Sequence, residues 1–381
     1  MKFCDETTNQ EPTVQQAVIK VLGLGGGGGN AVNHMAAQNY QGVEFICANT
    51  DAQALEQMNV DKTICIGAKS TTKGLGAGMK VEVGEAAALE DKETIKETLT
   101  DTDMLFIAAG MGGGTGTGSA PIVAQIAKEL GILTVAVVTK PFFFEGKKKR
   151  LIADEGIKKL MSNVDSLIIL PNDKLAESLG DDIEMKQIFS SSDDVLTNAV
   201  SSITELITKV GSMNLDFADI KTVMSAPGKA MMGSGISSGE KRAERAVQLA
   251  LSNPLIEGVD LNNAQGILVN ISSANDDVVM REYSTIGSYI EEYASESADI
   301  KTGINICNNL NEGEIKVTIV ATGLSSHKIL EHKKIENNEV KQVVGLDNNI
   351  TDNIMQPQQA PQDLNHLNDA KLPAYLKNQR A

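Results

Sequence analysis

Apolar residues fall along this chain in two alternating patterns, short strand-like runs and longer stretches with a helical repeat, and the alternation predicts the architecture. The strand-like runs are Ala17 to Leu22, Val43 to Asn49, Thr63 to Ile66, Met104 to Ala109, Leu133 to Val138 and Ser166 to Leu170. Between them lie stretches that read as helices: Ala31 to Gln38, a charged stretch ending near Leu99, Ala120 to Leu130, and one opening near Lys147. Strands buried on both faces lose their alternation, and strands separated by helices pair in parallel. This half is therefore expected to be a Rossmann-like α/β domain with a parallel sheet covered on both sides. Ligands of such sheets sit at the carboxyl ends of the strands.

From Met185 to Val210 the pattern becomes a sustained helical stripe of Ile188, Val195, Ala199, Ile203, Leu206 and Ile207, long enough to join two domains rigidly. Beyond it, strand-like runs at Ala230 to Met232, Gly266 to Ile271, Lys301 to Cys307 and Glu314 to Thr322 alternate with helical stretches Glu240 to Leu251 and Asp277 to Ser295. Two helices against a small mixed sheet make an α+β module. After Ser325 the pattern collapses into Asn, Gln, Lys and Glu, as in a disordered linker, before turning apolar and basic again near the end. The expected organisation is a flexible lead (1–16), an α/β domain (17–184), a central helix (185–213), a smaller α+β domain (214–324), a linker (325–366) and a terminal peptide (367–381).

Composition narrows the function. With 50 acidic against 34 basic residues the net charge is −16, a surface that repels nucleic acid and anionic lipid, so proteins and small molecules are the expected partners. The four cysteines are far apart, without metal-ligand spacing, which fits a reducing cytoplasm. The lead lacks the apolar core of a signal peptide, and no apolar run is long enough to span a bilayer.

The chemistry concentrates in glycine. Gly110 to Ala120, with Thr115 and Thr117, sits between a predicted core strand and a predicted helix, and so does Gly23 to Asn30; a third glycine-rich turn runs from Lys73 to Gly78. Strand, glycine loop and helix wrap a phosphate with backbone N–H groups at a helix N-terminus. A P-loop sequence is absent, and three such loops at one sheet edge exceed the needs of a dinucleotide, so a triphosphate fits better. The run Lys147 to Arg150 at a helix start is unfavourable against the helix dipole unless an anion is near. Phe189 with Asp193 and Asp194 can stack on and accept from a guanine edge, although a phenylalanine there also reads as plain core. Asp216 and Asp219 beside Asn214 can orient a water, or can equally cap the next helix. In this topology they leave the far end of the long helix, away from the glycine loops, so they would need the nucleotide of another subunit.

Taken together, Gly112 to Gly118, Gly25 to Asn30, Asn49-Thr50-Asp51, Thr72 to Gly78, Pro171 to Lys174 and Asn214 to Asp219 resemble, in order, the motifs of the tubulin/FtsZ family of assembling GTPases. The resemblance covers about Val18 to Gly323 and the terminal peptide. It implies a GTP-hydrolysing protein that polymerises head to tail into the bacterial cytokinetic ring, cytoplasmic and assembled at midcell on the inner face of the membrane. By similarity Gly26, Gly27, Gly28, Gly29 and Asn30 with Gly114, Thr115 and Gly116 hold phosphates, and Glu145 holds the ribose. Asn172, Phe189 and Asp193 take the guanine, and Asp216, Asp219 and Asn214 act on the next subunit's GTP. Mg²⁺ would accompany the nucleotide, and no residue is assigned to a metal. Leu372 to Lys377 resembles the family's partner-binding peptide, implying membrane-tethering division proteins such as an FtsA-like protein, besides spatial regulators of the ring. Two departures stand out: Lys149 followed by Arg150 where the family usually has arginine, and Lys371 where an acid is common.

Two other readings compete. An NAD-dependent oxidoreductase would use Gly23, Gly25 and Gly28 with Asp51 on the ribose. A structural polymer would bind nucleotide without turning it over.

Overall fold

Six unbroken apolar residues make the central strand, because a strand covered by helices on both faces has no side on which polar groups meet water. In the computed structural model, residues 104–109 are all fully buried. The structure describes residues 17–38, 42–180, 182–209, 211–253, 255–256, 261–307 and 309–324. The expected lead, linker and terminal peptide lie outside the described residues.

The first half of the chain runs β1 (Ile19–Leu24), α1 (Gly25–Ala36), β2 (Val43–Asn49), α2 (Ala52–Glu56), β3 (Lys62–Cys65), α3 (Val81–Glu90) and α4 (Lys92–Leu99). It continues with β4 (Met104–Gly110), α5 (Thr115–Glu129), β5 (Leu133–Lys140), α6 (Lys147–Met161), β6 (Ser166–Pro171) and α7 (Asn172–Leu179). The single charged helix expected before Leu99 is two helices. They break at Asp91, whose carboxylate accepts the Gly67 N–H at 2.7 Å.

The second half comprises α8 (Met185–Thr208), α9 (Phe217–Met224), β7 (Gly228–Ser238), α10 (Arg242–Leu251), β8 (Gly266–Ser273), α11 (Met280–Tyr293), β9 (Asp299–Ile306) and β10 (Glu314–Leu324). Rather than two separate sheets, the described strands form one, in the order β3-β2-β1-β4-β5-β6-β7-β10-β8-β9. The parallel half joins the mixed half through a short β6·β7 pairing, Ser166 beside Gly228. Helices α1 and α8 share the apolar layer on one face with both halves of the sheet, whereas α3, α4, α5 and α6 pack on the other face.

From Ser191 to Leu206 helix α8 is buried on nearly every side, including Ser201, Thr204 and Glu205. Two of its buried hydroxyls are satisfied within the helix, Ser201 Oγ donating to Thr197 O and Thr204 Oγ1 to Val200 O, both at 2.8 Å. With 24 residues it holds its two ends about 36 Å apart.

Candidate functional site

Strands β1 and β4 lie side by side in parallel, Leu24 beside Ala109, and the chain turns to opposite sides after each of them. At this switch point α1 and α5 leave the strand ends together, which is where an open α/β sheet binds ligands. Part of the glycine expected as loop is already helical: α1 begins at Gly25, not Ala31, and α5 at Thr115, not Ala120. Close backbone approach explains it. A Cβ on Gly28 would lie 2.1 Å from the Ala108 carbonyl oxygen, and one on Gly116 would lie 2.8 Å from that of Gly110. Gly25, at φ +70°, brings the start of α1 against the Gly116 N–H.

Neither helix start carries a side-chain cap or an acid in its first turn, so its leading N–H groups are left for a ligand. Around Gly26, by contrast, a Cβ would meet nothing within 4 Å. Thr115 Oγ1 meets Thr50 Oγ1 at 2.6 Å, while Thr117 Oγ1 is committed to the loop, accepting the Gly112 N–H at 2.8 Å. The third glycine segment closes over this point. Gly76 N–H donates to Thr50 O at 2.9 Å, and Ala77 and Lys80 pack against Gly114. Its base is held by Glu90, which accepts the N–H groups of Lys69, Ser70 and Thr71 and the hydroxyls of Ser70 and Thr71. Those bonds, Ser70's hydroxyl foremost, pull the Glu90 carboxyl down to about 2. Neither Thr50 nor Glu90 was assigned a role from sequence, since each acts through a partner far along the chain.

A second group gathers beside the first. Asn172, at the start of α7, is buried and accepts the Ser192 hydroxyl at 2.9 Å. The Phe189 ring stands edge-on to Phe142 and Phe144 and remains 44% exposed, so one of its faces is open to a stacking partner. Asp193 hydrogen-bonds Asn30 across the α1·α8 contact. Burial, with the Asp194 charge adding, pushes its carboxyl up to about 7. Asp194 instead faces His34 Nδ1 at 3.2 Å. Glu145 accepts the Phe142 N–H at 3.0 Å and pairs with Lys149, one turn along. Arg150 makes no ion pair among the described residues. Asp51, the acid on which a dinucleotide reading depends, caps α2 by accepting the Gln53 and Ala54 N–H groups.

The acidic loop lies elsewhere, past the far end of α8. Asp216 caps α9 by accepting the Asp219 N–H at 2.7 Å, as the capping alternative allows. Asp219 pairs with Lys301 at 3.0 Å, which holds its carboxyl below the usual range. Asn214 Oδ1 accepts the Gly211 N–H at 2.8 Å. The fold thus brings the glycine segments, Glu145, Lys149, Asn172, Phe189 and Asp193 to one end of α8, and leaves Asn214, Asp216 and Asp219 at the other.

Comparison with known proteins finds two matching family domains along the chain. Residues 18–180 match the Tubulin/FtsZ family GTPase domain, and residues 228–325 match the FtsZ family C-terminal domain. The chain is 51% identical to the cell division protein FtsZ of Pseudomonas aeruginosa over 96% of its own length and 90% of that protein's. It is 53% identical to the FtsZ of Buchnera aphidicola subsp. Schizaphis graminum, over 86% of this chain and 85% of that one. Among solved structures, an empty FtsZ dimer of M. jannaschii superposes with a TM-score of 0.78 at 44% identity, covering 82% of this chain and 90% of that one. A GTPγS-bound protofilament of CetZ2 from Haloferax volcanii shares the fold at a TM-score of 0.68 and 19% identity, over 82% and 95% of the two chains.

Proposed function

This chain belongs to the tubulin/FtsZ family, and on that premise we infer that it is a cell-division GTPase that assembles head to tail into the cytokinetic ring. The observation that carries the reading is the split of its chemistry. Two uncapped helix starts sit at one end of α8 and a pair of carboxylates at the other, so each chain holds half of two sites. In a filament the N–H groups of α1 and α5, from Gly26 to Asn30 and Gly114 to Gly116, hold the phosphates. Asp216 and Asp219 of the next subunit, with Asn214 bracing their loop, orient a water in line with the γ-phosphate. Among the described residues no group of three or more His, Cys, Asp or Glu side chains could hold a metal. Mg²⁺ would therefore come on the phosphate oxygens and offset their charge there.

At the other end of the nucleotide, Glu145 takes the ribose, Lys149 balances charge beside it, Phe189 stacks on the base, and Asn172 and Asp193 read the guanine edge. An ionised Asp193 accepts from the guanine N–H groups, where adenine offers no matching pair. Asp193→Ala should weaken GTP binding about tenfold or more, the worth of a charged hydrogen bond. Titration calorimetry of the unassembled chain with GTP and ATP reads this directly; equal affinity for the two nucleotides would contradict it. The pH dependence has a defined sign. Without nucleotide Asp193 is protonated below about 7, and guanine requires it ionised. Affinity should then rise with pH through 7, with a proton released on binding, and Asp193→Ala should remove that dependence.

By family likeness the apolar residues Leu372, Pro373, Tyr375 and Leu376 belong to a peptide that binds a membrane-tethering division protein such as an FtsA-like protein. No helix among the described residues is long and apolar enough to cross a membrane; the assembled ring is held at the inner face of the cytoplasmic membrane through that segment. Deleting 367–381 should leave GTP turnover within about twofold and abolish recruitment to tether-coated vesicles. Loss of turnover in the truncated chain would place the segment in the catalytic core instead.

A further inference from the structure

We propose that Lys301 is a positioning residue of the hydrolytic site, its ammonium group fixing the Asp219 carboxylate for the water it shares with Asp216. The proposal rests on the reading of Asp216 and Asp219 as the water-orienting pair. β9 is the last strand of the sheet, and the acidic loop is built on its outer edge. Ile304 N–H donates to Met213 O at 2.8 Å, and Gly211 lies so close that an added Cβ would sit 2.0 Å from the Ile304 carbonyl oxygen. Backbone bonds therefore pin the loop's path.

They hold the Asp219 side chain only in part. Its backbone N–H is used by the Asp216 cap, but its carboxylate is a third exposed, on the first turn of a helix of 8 residues. Asp216 hydrogen-bonds it, and the stronger hold is Lys301 Nζ, 3.0 Å from Oδ1 and three residues before Ile304 on the same strand. The second carboxylate oxygen takes no part in that pair.

The charges around Lys301 give it a second effect. Asp299 lies 3.8 Å from the same ammonium, and the Asp216 charge acts on it as well. Helix α9 adds Lys221 in its last turn, while β8, packed against α9, carries no titratable side chain. Without Lys301, three carboxylates would face the neighbour's triphosphate with their repulsion less compensated. The pair is too exposed to matter much for folding, so its value is geometric and is read at the step where geometry decides.

The test uses the full chain with Lys301→Met, Lys301→Gln and Lys301→Arg, measuring GTP affinity before assembly, critical concentration, and kcat above it. Met and Gln keep the length of the stem and should melt as the parent does. Both should bind GTP normally, raise the critical concentration no more than about threefold, and lose about tenfold in kcat, while Arg stays within about twofold of the parent. A kcat within twofold of the parent for Met and Gln would overturn the proposal, as would an Arg variant as slow as Met. Loss of assembly in the Met and Gln variants would assign Lys301 to the contact itself and also overturn it. Asp219→Ala, run in parallel, separates the two levels. Normal hydrolysis there means the reading of the acidic pair has failed, whereas loss there with a normal Lys301→Met rate means only the positioning role has.

Discussion

Gly26→Ala should leave the empty chain folded, and slightly more stable, while weakening GTP binding about a hundredfold. The residue sits in the first turn of α1, where alanine is favoured over glycine by about 0.5–1 kcal/mol. Nothing in the protein lies within 4 Å of where the methyl group would go. The chain gives no internal reason for glycine there, so the space is for something it binds. A methyl group pushing a phosphate off the helix start costs hydrogen bonds between N–H groups and a charged ligand, about 3 kcal/mol in all. Gly28→Ala is the opposite case. Its Cβ would collide with the Ala108 carbonyl at 2.1 Å, in a stretch of backbone buried between α1 and β4. About 3 kcal/mol of overpacking strain there should lower the melting temperature sharply. Thermal unfolding and GTP affinity measured on both variants separate ligand space from packing space. A Gly26→Ala chain that binds GTP normally would contradict the phosphate cradle.

Asp216→Ala should keep GTP binding and lose turnover by about a hundredfold or more, the usual worth of a group that orients or activates the attacking water. Asp216 also caps α9, so alanine removes about 1 kcal/mol of helix stability as well. Asp216→Asn separates the two effects, because asparagine caps as well as aspartate does but carries no charge. Loss of turnover in both variants, with the melting temperature changed only in alanine, assigns the carboxylate to chemistry. Mixed with the parent chain, either variant should depress activity more than dilution does, since each filament contact needs an intact loop from one subunit and an intact cradle from the other.

Much of the fold is legible in the sequence because its signals are local. The unbroken run from Met104 to Ala109 reads as a strand covered on both faces, and it is one. The stripe from Ile188 to Leu206 reads as one long helix, and α8 spans it. The misreadings share one physical cause: tertiary contact overrides local preference. Glycine is a poor helix former, so Gly25 to Gly29 read as loop. They are helical because α1 packs close on β4, with Gly28 against the Ala108 carbonyl, a contact that only the fold reveals. The break at Asp91 depends on a bond to Gly67, and the joining of the two half-sheets on three residue pairs between β6 and β7. Asp51 matched a ribose-binding acid by spacing, yet its carboxylate is spent on a cap. The residue pattern alone does not separate the two neighbouring acids on α8, Asp193 and Asp194. Asp193 is drawn in by Asn30 and Asp194 is held by His34. Lys301 gave no signal, being 82 positions from the acid it pairs with.

The claim on which the rest depends is that hydrolysis belongs to the contact between two subunits. Phosphate release per subunit, measured as a function of protein concentration at saturating GTP, tests it most directly. The account predicts almost no turnover at low concentration, then a rise above a critical concentration that coincides with the onset of light scattering. Asp216→Ala should stay flat across the range although it binds GTP. A specific activity independent of concentration, extending to where sedimentation shows only monomer, would contradict it.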